Sequence, residues 1–132
     1  MAVLIDTTVL IDAERRGVSL DRAIGDEERA VSAITVSELL HGVHRAADEQ
    51  RRVRREVLVE YLLESLEALP VTTAVARTHA RIWAQLERDG EPIGAHDLWI
   101  AATALTHGMR IATSNIGEFG RVSGLTVVPL DG

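Results

Sequence analysis

The chain of 132 residues has no cysteine, which excludes disulfides, thiolate zinc sites and cysteine nucleophiles together. It also has no lysine: all 14 basic residues are arginine. The aromatics are only two Trp, one Tyr and one Phe, too few for a platform that stacks single-stranded bases. No apolar run approaches the ~20 residues of a membrane-spanning helix; the longest extends from Leu98 to Leu105. Met1 to Ile5 meets Asp6 too soon, and without a basic lead, to read as a secretory leader, so a cytoplasmic protein is expected. Linkers, repeats and low-complexity stretches are likewise missing, and one domain over 1–132 is expected.

What the chain does have is acid. Twenty Asp and Glu against 14 Arg give a net charge of −6. Such a balance argues against a broad electrostatic grip on nucleic acid.

Short apolar runs alternate with helical periods. Ala2-Val-Leu-Ile5 reads as a buried parallel strand, followed by a helix over Thr8 to Arg16 closed by Gly17 and a short one near Leu20 to Gly25. A strand at Ala30 to Ile34 precedes a helix over Thr35 to Ala46 and a longer one over Glu49 to Leu69, with Pro70-Val71 as a turn or short strand. Thr73 to Asp89 is helical and stopped by Gly90; Gly94 to His107 is helical and ends at Gly108. Arg110 to Thr113 and Leu125 to Val128 are the last strands. The alternation predicts a three-layer α/β/α sandwich around a short central parallel sheet, in which ligands gather at the carboxyl ends of the strands.

Four acids fall at such junctions: Asp6 ends the first strand, Glu38 and Asp97 lie in first helical turns, and Glu118 follows the fourth strand. Each has a structural reading of its own. Asp6 suits a helix cap, Thr35-Val-Ser-Glu38 fits a capping box, Asp97 complements a helix dipole, and Glu118 suits an exposed loop. Asp97, however, shares a stripe with Ile100, Ala101 and Ala104, which turns its carboxylate inward with no base near in sequence. Carboxylates converging on one sheet edge repel and raise one another's pKa; a divalent cation removes the conflict. All-oxygen donors favour Mg2+ or Mn2+, and a cation so held suits phosphodiester chemistry. Thr7 and Thr8 beside Asp6 are accessory hydroxyls for orienting a carboxylate or a water.

Four blocks in order resemble the PIN-domain ribonucleases, and within them the VapC toxins of bacterial toxin–antitoxin pairs: Leu4-Ile-Asp-Thr-Thr-Val-Leu-Ile11, Ser32-Ala-Ile-Thr-Val-Ser-Glu-Leu-Leu-His-Gly42, Pro92-Ile-Gly-Ala-His-Asp-Leu-Trp-Ile-Ala-Ala-Thr-Ala-Leu105 and Ala112-Thr-Ser-Asn-Ile-Gly-Glu-Phe-Gly-Arg-Val-Ser-Gly-Leu125. The resemblance implies an Mg2+- or Mn2+-dependent endoribonuclease that hydrolyses RNA, tRNA or another structured RNA, with metal-activated water. Asp6 and Asp97 would be the principal metal ligands, and Glu38 would ligate metal or position the water. Asn115 stands where some relatives have Asp, and Glu118 three residues on would complete the site in its place. The resemblance further implies a VapB-like antitoxin, a homodimer, and DNA contact only through the antitoxin.

Other features read as structural. His41 and His44 lack the Glu of a zinc helix, His79 sits on an apolar stripe as a hydrogen-bonded core residue, and Trp83 and Trp99 read as core. His96 adjoins Asp97, within reach of RNA or simply exposed. Arg51, Arg52, Arg54 and Arg55 form the one basic cluster in sequence, read as a solvated helix face. Val57, Tyr61 and Leu62 read as core packing, with an interface as the other use of that face. Two rival functions are an aspartyl-phosphate phosphohydrolase and a non-catalytic PIN-like binding protein. The first wants a second Asp where Thr8 stands, and a lysine; the second sits poorly with Asp6, Glu38 and Asp97 all in place.

Overall fold

A computed structural model describes residues 2–16, 24–25 and 27–128. Its elements are β1 (Val3–Ile5), α1 (Thr7–Arg16), β2 (Arg29–Ser32), α2 (Ala33–His44), α3 (Glu49–Glu64), β3 (Glu67–Leu69), α4 (Thr73–Asp89), α5 (Ala95–Thr106), β4 (Arg110–Ala112), α6 (Ile116–Phe119) and β5 (Val127–Val128). The five strands form one sheet in the order β3-β2-β1-β4-β5, and every neighbouring pair is parallel. The expected α/β/α sandwich is therefore the observed one. The short helix expected at Leu20 to Gly25 falls almost wholly outside the described residues.

Strand periodicity divides the core in two. Leu4, Ala30 and Ile111 point to one face and pack with Val75, Ile82 and Leu86 of α4 and Ile100 and Ala104 of α5. Ile5 and Val31 point to the other and meet Val9 and Leu10 of α1, Leu39 and Val43 of α2 and Val59 of α3. The central strands are buried on both faces, which is why they read as unbroken apolar runs.

Two helix boundaries and one further helix differ from the sequence reading. Helix α2 starts at Ala33 because the Ser32 hydroxyl caps it, accepting from the Ile34 amide at 3.0 Å. Thr35 and Glu38 thus form no capping box. Helix α3 stops at Glu64, not Leu69, and Glu67–Leu69 instead adds an edge strand to β2. Leu63, Leu66 and Leu69 recur every third residue, so the apolar spacing mimics a continuing helix. The four-residue α6 was not anticipated. Thr72 caps α4 at its start and Gly90, the stop read from the sequence, ends it with φ of +67°; Gly17, expected to close α1, lies outside the described residues.

Because β1 connects toward β2 on one side and the chain returns to β4 on the other, the sheet reverses its winding between β1 and β4. The carboxyl ends of these two strands form the switch-point crevice, and Asp6 and Thr113 immediately follow them.

Candidate active site

Asp6 is 1% exposed. Its backbone amide still pairs with the Ala112 carbonyl at 2.9 Å, so the side chain leaves the sheet at a fixed angle. The Thr7 amide donates to Oδ1 at 2.8 Å, and the hydroxyls of Thr8 and Thr113 donate to Oδ2 at 2.8 and 2.7 Å. Burial pushes this carboxyl above its ordinary range, the three donors oppose that, and the Glu38 charge adds to it. With about four lone-pair sites on a carboxylate, three donors leave one acceptor direction on Oδ1.

Helix α2 brings in Glu38. The Thr7 hydroxyl donates to its Oε1 at 2.7 Å and shares a hydroxyl–hydroxyl bond with buried Thr35 at 3.1 Å. Its other oxygen lies 3.4 Å from Nδ1 of exposed His96. Thr35, which read as a capping residue, is thus a support for the Thr7–Glu38 contact.

Asp97 enters from the first turn of α5. Its carboxyl is pushed up from 3.8 to about 7, first by burial, then by the charges of Asp6 and Glu118, a hydrogen bond with Glu118, and the charge of Glu38. Glu118 moves the other way. The Gly94 amide, the Asn115 amide group, Asp97 and the Arg121 charge all hold it low, against a smaller burial effect. Asn115 bridges the pair, donating to Glu118 and, at 3.5 Å, to Asp97 Oδ2. Near neutral pH Asp97 is therefore part-protonated, and in that form it shares its proton with an ionised Glu118.

The four acids expected to converge do act on one another electrostatically. Among the described residues, no three acidic or imidazole side chains stand close enough to enclose a cation as they are. The donor set nevertheless suits one: hard carboxylate oxygens, a spare acceptor direction on Asp6, and repulsion that still raises Asp6 and Asp97. Soft or tetrahedral metals have no thiolate here, so the chemistry fits a hard divalent ion.

Sequence reasoning missed Thr113, Thr35 and the Gly94 amide. Thr113 was findable as a hydroxyl just past the strand next to β1; the others depend on packing between segments. Trp83, expected in the core, is 53% exposed. His79 is half-buried and is held by stacking, 3.6 Å from the Trp99 ring and tilted against Trp83. Core packing also fails for Val57 and Tyr61, which are 65% and 73% exposed.

A doubly wound parallel sheet that gathers carboxylates from four segments near its switch point defines an α/β protein with an acidic crevice. The PIN-domain family model matches residues 3–125, and the chain belongs to that family, among its VapC ribonucleases. Ribonuclease VapC1 of Rickettsia felis is 37% identical over 97% of this chain and 96% of its own length. The tRNA(fMet)-specific endonuclease VapC of Salmonella typhimurium is 33% identical over 74% of this chain and 71% of its own. The DNA-bound VapBC structure from Salmonella typhimurium shares the fold with a TM-score of 0.83 at 27% identity, over 97% of each chain. No helix among the described residues is long and apolar enough to cross a membrane.

Proposed function

We propose that this chain, a single PIN-like domain over 1–132, is the Mg2+- or Mn2+-dependent endoribonuclease toxin of a toxin–antitoxin pair. The carrying observation is the buried Asp6 carboxylate, fixed by three donors at the switch point of the sheet, with the charges of Asp6, Glu118 and Glu38 helping burial to push Asp97 up to about 7. A structural acid does not need such company. Asp6, Glu38, Asp97 and Glu118 would hold the cation, which when bound supplies positive charge for the phosphodiester and lowers the pKa of a water.

The chain's own residues do the positioning. Thr8 and Thr113 fix the Asp6 carboxylate from one side and the Thr7 amide from the other, leaving it no rotamer freedom. The Thr7 hydroxyl donates to Glu38 and so sets the orientation of that carboxylate at the mouth of the site. Asn115, an amide among acids, ties Glu118 to Asp97 without adding a fifth negative charge. A 1%-exposed Asp6 with both oxygens engaged suits a fixed ligand and not an attacking nucleophile, which counts against the aspartyl-phosphate alternative.

The named activity of the Salmonella relative supports tRNA or another structured RNA as substrate. The VapBC complexes among the structural neighbours support a VapB-like antitoxin as partner and DNA contact through it; a homodimer and a cytoplasmic setting complete the reading. The test is incubation of antitoxin-free protein with total tRNA and mRNA, in Mg2+ or EDTA, beside Asp97→Asn. Metal-dependent cleavage lost in the variant is expected. Cleavage that survives EDTA, or equals wild type in Asp97→Asn, refutes the metal site; no cleavage of any RNA leaves a binding protein.

A further inference from the structure

The sequence offers one obvious basic cluster, on α3, yet two of its four arginines, Arg51 and Arg52, are paired with carboxylates. Arg51 pairs with Asp48 at 3.5 Å, Arg52 bridges Glu49 and Glu56 at 2.7 and 2.6 Å, and Arg55 donates to the Gly42 carbonyl at 3.1 Å. Helix α4 is different. Arg77, Arg81 and Arg88 are all exposed, and among the described residues none of the three side chains has a carboxylate partner or hydrogen bond.

Helix geometry lines the three up. At ~100° per residue, Arg77, Arg81 and Arg88 fall within about 40° of one another. The buried side of the same helix, Val75, Ile82 and Leu86, faces away from them. Between the arginines the stripe is flanked by the uncharged Ala80, Ala84 and Gln85, and the acids of the helix, Glu87 and Asp89, project about 100° to either side of Arg88. The stripe is ~16 Å long at ~1.5 Å rise per residue, enough for several backbone phosphates.

Its position is informative. Helix α4 ends at Asp89 and α5 begins at Ala95, two residues before Asp97. The Arg88 end of the stripe is therefore joined to the acidic site by a short loop. Arg121 continues the charge at that end: its guanidinium donates to the Pro92 carbonyl in this loop at 2.9 Å, and its charge acts on Glu118. A polyanion approaching four carboxylates needs compensation nearby, and this is where the fold supplies it.

We propose that Arg77, Arg81 and Arg88 form a docking stripe for the sugar–phosphate backbone of RNA, leading along α4 to the acidic site. This rests on the ribonuclease reading for the identity of the polyanion. The contacts are to phosphate, so they set affinity and register and carry no base specificity.

The test is binding of a short labelled single-stranded RNA to the full chain carrying Asp97→Asn, followed by anisotropy between about 50 and 200 mM salt. Three further substitutions, Arg77→Gln, Arg81→Gln and Arg88→Gln, are compared with Arg51→Gln plus Arg52→Gln on α3; circular dichroism confirms that each variant is folded. At ~0.7 in log–log slope per phosphate contact, the α4 variant should lose about 2 from its salt dependence and roughly 30- to 100-fold in affinity near 0.1 M salt. The α3 variant should match its parent. An unchanged slope in the α4 variant, an equal loss in both, or preferential capture of polyglutamate over RNA by the α4 face overturns the proposal. Failure of the ribonuclease reading registers separately, as absence of cleavage by the wild-type chain in Mg2+.

Discussion

Replacing Asp97 with asparagine should stabilise the metal-free protein above neutral pH, although it removes a central group of the site. The folded chain holds the Asp97 proton more tightly than the unfolded chain, with a pKa of about 7 against 3.8. The penalty for ionising this group is absent below about pH 4, grows between the two values, and is complete above 7. At ~1.36 kcal/mol per pH unit the interval sets an upper bound of ~4 kcal/mol. Asp97 is only partly buried, and solvent screening reduces this to ~1–2 kcal/mol. Asp6 acts in the same direction. Glu118, held below 4.5, contributes stability that is lost only at more acidic pH, so it leaves this window untouched. The asparagine side chain reproduces the protonated carboxyl: its amide group can donate to Glu118 as the acid does. Thermal denaturation in EDTA should therefore give nearly equal midpoints near pH 4 and a variant higher by about 5 °C near pH 8, taking ~3–5 °C per kcal/mol for a domain of this size. A variant less stable than wild type across the whole range would mean that Asp97 is an ordinary stabilising acid, and the crowding account would fall.

Mg2+ or Mn2+ should reverse that order: saturation at ~100 times Kd stabilises by ~2.7 kcal/mol, and wild type should gain it while Asp97→Asn gains little, as followed by the same melts. Because a cation must displace the Asp97 proton, its apparent affinity should fall about tenfold for each pH unit below about 7, measurable by calorimetry; a flat profile would refute the linkage. Thr113→Val keeps the volume but removes the 2.7 Å bond to Asp6, and should cost ~1.5–3 kcal/mol in denaturant titrations above pH 6 and slow RNA cleavage at least tenfold. Gly90→Ala, at φ of +67° with open space around its would-be Cβ, should cost about 1 kcal/mol with cleavage unaffected; a larger loss would point to a contact the fold does not contain.

The layer architecture was legible because central parallel strands are buried on both faces and so write themselves as apolar runs. The edge strand Glu67–Leu69 was not, since only Leu69 is buried and its spacing from Leu63 and Leu66 continues a helical period. The acids were legible as a set, since Asp6, Glu38, Asp97 and Glu118 each lie at a junction that a doubly wound sheet brings to one crevice. Their supports were not: Thr113 and Thr35 are 107 and 28 residues away from the Asp6 and Thr7 groups they serve, a relation only packing creates. Trp83 failed for a different reason. It lies on the margin of the buried stripe of α4, where a large apolar residue reads as core but is left 53% exposed beside the His79 ring.

The charge count changes meaning once its distribution is known. Removing Asp6, Glu38, Asp97 and Glu118 from the tally takes the net charge from −6 to −2, so most of the acid excess is confined to one crevice. The arginines divide as unevenly. Arg51 and Arg52 of α3 sit beside Asp48, Glu49 and Glu56 and cancel locally, while Arg77, Arg81 and Arg88 of α4 face solvent with no carboxylate partner among the described residues. A net charge averages over these two arrangements and so argued, wrongly, against nucleic acid. An anionic polymer meets the molecule locally, within a Debye length of ~8–10 Å, and at that range the exposed arginines of α4 present a different charge from the acids of the crevice. Charge placement, and not charge balance, therefore decides whether a −6 protein can handle RNA. Salt should consequently weaken RNA binding here as it does for a basic protein, and a salt-independent affinity would contradict that conclusion.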